Sequence, residues 1–108
     1  MTDYSKLSDF EINKRVDDIL HPPSTNFHHV KGYNKHYCSN PADAWYVITE
    51  NKINIAFDCN ENEWVAWGNF EFDHCGWDMI NEPSIHYSHS NPLRAAMIVF
   101  LQMQENKQ

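Results

Sequence analysis

Trp77 stands in an acidic stretch, with Asp73, Asp78 and Glu82 close to it in sequence. A tryptophan among carboxylates suits protein recognition, because the ring is a rigid group to bury on contact and the charges draw a basic partner from a distance. The competing reading is a ring that plugs a loop onto the core. Metal-ligand residue types occur as His36-x-Cys38, as Asp73-His74-Cys75 and as His86-x-x-His89. Three or four of them would form a site if their loops converged, but none has the paired spacing that closes a structural zinc site. Solvated loops are the plainer account of the seven histidines. For a cysteine enzyme the best nucleophile is Cys75, given a histidine base and an acid to orient it. Its neighbour His74 is a poor base for it, since adjacent residues of a strand point apart. Asp58-Cys59-Asn60-Glu61-Asn62 opens like a calcium loop, yet Glu63 stands where the sharp turn needs glycine and Asn69 where a bidentate glutamate belongs. This segment reads as a hairpin turn. The chain has three glycines, Gly32, Gly68 and Gly76, and forms neither a glycine-rich phosphate loop nor a serine elbow. No cofactor is expected. The partner-binding candidates are therefore Trp77, Asp73, Asp78 and Glu82. A metal-binding protein or cysteine-dependent enzyme using His36, Cys38, His74, Cys75, His86 and His89 is the alternative.

Charge narrows the partner. The 108 residues carry a formal charge of −7, and residues 53–93 hold seven Asp and Glu with no Lys or Arg. Such a surface disfavours phosphate backbones and fits a basic protein. The start lacks a basic region leading into an apolar stretch, and the longest apolar run, Ala95 to Leu101, falls far short of the roughly 20 residues of a membrane span. A soluble, cytosolic chain away from membranes is the expectation. Cys38, Cys59 and Cys75 are odd in number and widely spaced, which reads as free thiols. A chain of this length makes one domain, 1–108, with a thin core.

The elements that must position these residues are marked by their caps. Ser8 and Glu11 form a capping box, Leu7 and Ile12 the accompanying apolar staple, and Ile12, Val16, Ile19 and Leu20 a stripe that Pro22-Pro23 ends. Residues 21–39, with four histidines and two prolines, form a long loop, with a short strand near Tyr33 to Cys38 as an option. Asn40-Pro41 opens a second helix that runs to Glu50, with Asn51 as the left-handed closing residue. Trp45 and Tyr46 on it are expected in the core, covering a small sheet. Ile53, Ile55 and Phe57 alternate with polar or small residues as a strand with one apolar face. A second strand spans Trp64 to Phe72; its large residues on both parities mean cover on both faces or a bulge at Gly68. Asn91-Pro92 opens a third helix to about Gln104, apolar all round from Ala95 to Leu101, hence either the central core helix or part of a homodimer contact through residues 92–104.

Three segments, Asp3 to Val16 (DYSKLSDFEINKRV), Tyr37 to Trp45 (YCSNPADAW) and Asn91 to Leu101 (NPLRAAMIVFL), together resemble the NinX-like family of small phage and prophage proteins. The order of elements is also similar to phage alpha-beta-alpha sandwich domains. The resemblance implies a phage-derived accessory protein in a bacterial cytoplasm and brings no catalytic residues. The fold expected is α+β, three helices packed around a small two- to three-stranded antiparallel sheet. The function expected is a non-enzymatic module that binds another protein.

Overall fold

The computed structural model describes residues 3–21, 35–68 and 85–106. A single 3-10 turn, Tyr4–Lys6, leads into α1 (Asp9–Leu20), α2 (Pro41–Glu50), β1 (Asn54–Asp58), β2 (Glu63–Gly68), β3 (Ile85–His89) and α3 (Pro92–Asn106). Each helix starts at the capping residue its sequence supplies. Ser8 Oγ accepts the Glu11 N–H and the Glu11 carboxylate accepts the Ser8 N–H, both at 3.1 Å. These bonds hold the Glu11 carboxyl below its ordinary range. Asn40 Oδ1 accepts from Ala42 N–H at 3.0 Å ahead of Pro41. Asn91 Oδ1 accepts from Leu93 N–H at 3.0 Å and more loosely from Arg94. Proline at the first helical position loses nothing, because its N–H would have had no partner.

The end of α2 differs from expectation by one residue. Asn51 keeps a negative φ and its side chain donates to the Val47 carbonyl, while Lys52 takes the left-handed conformation with φ 54°. An amide that can satisfy an orphan carbonyl with its own side chain leaves the reversal to the next residue. Residues 35–39 hold a turn, in which His36 carbonyl accepts from Ser39 and Asn40, so the strand expected up to Cys38 is absent from the described part of that segment.

The sheet is antiparallel, in the order β1-β2-β3, three strands among the described residues. Asp58 and Glu63 close the β1–β2 hairpin. Asp58 Oδ1 accepts from Asn60 N–H at 3.0 Å, and Asn62 takes φ 58°, so the apparent calcium loop is a turn closed on its own aspartate. Register runs unbroken from Trp64↔His89 to Gly68↔Ile85, and no bulge occurs among these pairs. Residues 69–72 of the longer expected strand lie outside the described residues. Ile55, Ala66 and Tyr87 share one row of one face, and Phe57, Trp64 and His89 the next. The small residues decide what covers this face. Ala66 and Gly68 are buried, and a Cβ on Gly68 would come within 3.1 Å of Met103 Sδ, so α3 lies directly on the strand. Ile53 and Ile55 follow the expected apolar face, but Phe57 is 48% exposed at its far end.

α3 packs against all three strands and against both α1 and α2. Ala95 through Leu101 are buried by the chain itself, none above 3% exposed. The all-round apolarity of this helix is thus consumed inside one molecule: sheet on one side, helices on the other. A homodimer contact through residues 92–104 would therefore have only the half-buried Pro92, Leu93 and Gln102–Gln104 to offer.

Candidate functional site

The N-terminal turn and the segment before α2 are tied down by polar groups that reach across the fold. Arg94, 8% exposed in the first turn of α3, donates to Asp9 Oδ1 at 2.6 Å and to the Leu7 carbonyl at 2.6 Å, with a longer contact to the Tyr4 carbonyl. Cys38 N–H donates to Asn13 Oδ1 at 3.0 Å, Asn91 Nδ2 donates to the Cys38 carbonyl at 2.6 Å, and Tyr37 OH donates to Asp17 at 3.0 Å. Asn91 therefore caps α3 with its oxygen and holds residues 37–39 with its nitrogen. These bonds fix the start of α2 against α1 and α3, and the orientation of α2 follows.

Ala44, Val47 and Ile48 form the inner stripe of α2 at helical spacing. Trp45 and Tyr46 come next after Ala44 and are rotated off that stripe, leaving them 64% and 62% exposed. The sequence reading of both as core is corrected here: a ten-residue helix packed on α3 rather than on the sheet has room inside for its small and aliphatic residues only. Each ring borders a concave surface. Tyr46 lines a cleft of about 480 Å³ with Leu20, His21, Lys35, Tyr37 and Asp43. Trp45 lines a groove of about 450 Å³ between α2 and β1, with Ile48, Thr49, Lys52, Ile53 and Ile55. Asp43 also accepts from the His36 N–H at 2.9 Å and pairs with Lys35 at 3.6 Å.

The metal-ligand candidates do not gather among the described residues. No group of three His, Cys, Asp or Glu there is placed to hold an ion. His86 and His89 are three apart on β3, so they project from opposite faces of the sheet. His89 Nδ1 accepts from the Asn91 N–H at 2.9 Å, within the turn into α3. His36 is exposed beside α2, whereas Cys38 is fully buried and burial pushes its thiol up to about 12, with Asp9 adding to the effect. A thiol so raised is neither a nucleophile nor a ready ligand at neutral pH. Cys59 is exposed on the β1–β2 turn. His74 and Cys75, and the partner-binding set Asp73, Trp77, Asp78 and Glu82, lie outside the described residues.

The sequence reading missed Arg94 and misplaced Trp45 and Tyr46. Arg94 carries the most consequential polar contacts of α3 but has no motif. The 44/47/48 stripe could have flagged Trp45 and Tyr46, because at about 100° per residue both fall outside the arc that Ala44, Val47 and Ile48 span. No helix among the described residues is long and apolar enough to cross a membrane. Residues 3–104 match the family described as "Bacteriophage P22, NinX". No curated protein and no solved structure matches the chain.

Proposed function

Since the chain belongs to the NinX family of bacteriophage P22 and is a phage-derived protein, we propose that it acts in the bacterial cytoplasm as a non-enzymatic accessory module binding another protein. The observation that carries this reading is the pair of neighbouring aromatic rings on α2, Trp45 and Tyr46, each more than three-fifths exposed on a firmly anchored helix. Exposed aromatics on a rigid element lose little freedom when covered and bury a large area, which is what interface anchors require. The helix also carries the exposed Glu50, in keeping with the acidic character of residues 53–93 and with a basic partner. Trp77, flanked by Asp73, Asp78 and Glu82, belongs to the same acidic, aromatic chemistry. The test is affinity capture from phage-infected cells with the wild-type chain, Tyr46→Ala and Trp77→Ala in parallel. A partner retained by the wild type and lost with one or both variants, at unchanged melting temperature, supports the reading. Identical captures from all three proteins would refute it.

A further inference from the structure

We propose that the free edge of β1 is a self-pairing edge, on which a second copy of this chain adds its own β1 antiparallel about a two-fold axis at Ala56. This goes beyond the partner reading above: no residue of β1 lines the Tyr46 cleft, whereas Trp45 borders the groove that the second copy enters.

Three observations converge on it. First, β1 is hydrogen-bonded to β2 on one side, and no strand among the described residues borders its other side. Asn54–Asp58 has no proline, no lysine and no bulge, and its one charge, Asp58, stands at the end of the strand. Second, the strand is complementary to itself. Antiparallel pairing about Ala56 sets Ile55 opposite Phe57 of the second copy and Asn54 opposite Asp58, so apolar meets apolar and no like charges face each other. Ile55 lies on the helix-covered face, at the mouth of the groove that Trp45 and Ile48 border. The Phe57 ring of the second copy, 48% exposed in one chain and in edge-to-face contact with Trp64, enters that groove from beside Ile55. Third, charge is arranged head to tail along the edge. Lys52 is exposed at its start, and Asp58 and Glu61 are at its far end. Antiparallel pairing brings Lys52 of each copy to the acidic turn of the other, twice by symmetry. The product is one continuous six-stranded sheet with α3 of each copy on the same face.

Sedimentation equilibrium of the full chain, from micromolar to hundreds of micromolar, should show a monomer–dimer equilibrium. Ala56 is exposed, on the face away from α3, so Ala56→Lys and Ala56→Glu keep the fold, which circular dichroism verifies. Each variant alone brings like charges together at the axis and weakens its dimer several-fold, and an equimolar mixture of the two restores association as a mixed dimer. Phe57→Ser, also at an exposed position, yields monomer. A wild type that stays monomeric across the range overturns the proposal. So does a dimer that none of these variants moves, or one that both charge variants weaken with no recovery on mixing.

Discussion

At the scale of single residues, Arg94 and Cys38 show how burial assigns roles that composition does not. Arg94 has its head group nearly closed off from water, and it compensates three acceptors of the N-terminal segment, one of them the half-exposed Asp9 carboxylate. Arg94→Ala should lower unfolding free energy by about 2–4 kcal/mol, because it takes the guanidinium donors away from the Leu7 carbonyl and the Asp9 carboxylate and releases the N-terminal turn. Chemical denaturation reads the change, and Arg94→Lys, with one point charge in place of a planar fork, recovers only part of it. Cys38 makes an alkaline prediction. Its thiol ionises near 9.0 when exposed and near 12 in the fold, so the folded state holds a proton that the unfolded chain has lost. That stabilisation is complete below pH 9 and declines as pH rises from 9 towards 12. In thiol labelling at pH 8, Cys59 should react in the native protein and Cys38 only after denaturation, as peptide mapping will show.

At the scale of elements, caps define where helices start and side-chain volume defines what they touch. Ser8→Ala removes the acceptor of the Glu11 N–H and should cost about 1 kcal/mol of stability by denaturant midpoint. The reciprocal bond makes the same corner acid-sensitive. Glu11 ionises below its ordinary range in the fold, so the stabilisation is present above that ordinary value and lost as pH falls through the lowered one. Ala66 shows the other control. It faces α3 at full burial, and Ala66→Leu should destabilise by about 1–3 kcal/mol through overpacking, because α3 rests on the small residues of β2. Trp45 lies at the opposite extreme: with its ring exposed, Trp45→Ala should shift stability by less than about 0.5 kcal/mol.

At the scale of the whole molecule, the arrangement is a sheet, α3 upon it, and α1 with α2 against the far side of α3. A single apolar helix in the middle serves two surfaces at once, which is how a short chain covers its core. The acidic segment adds the recognition surface proposed for this molecule. Trp77→Ala should weaken partner binding by about 2 kcal/mol or more while leaving the melting temperature nearly unchanged, as an interface anchor does. A loss of about 3–5 kcal/mol in folding stability, measured before any partner is in hand, would instead mark Trp77 as a core ring.

Local chemistry was readable from the residues themselves. Ser8, Asn40 and Asn91 each cap the helix they precede, Pro41 and Pro92 open theirs, and Asp58 turns the hairpin, because a cap or turn is a bargain among residues two or three apart and needs no distant neighbour. The family was readable for the same reason, carried by those capped segments. Long-range placement was not. β3 gave no sequence signal strong enough to be drawn, since Ile85-His86-Tyr87-Ser88-His89 becomes a strand through its pairing with β2. Whether the apolar sides of Ala95 to Leu101 met a second copy or their own chain depended on where α1, α2 and the sheet came to rest. The outward turn of Trp45 and Tyr46, the burial of Arg94 and the separation of His86 from His89 were likewise decided in three dimensions, because periodicity ranks the faces of an element but only its neighbours determine which face is covered.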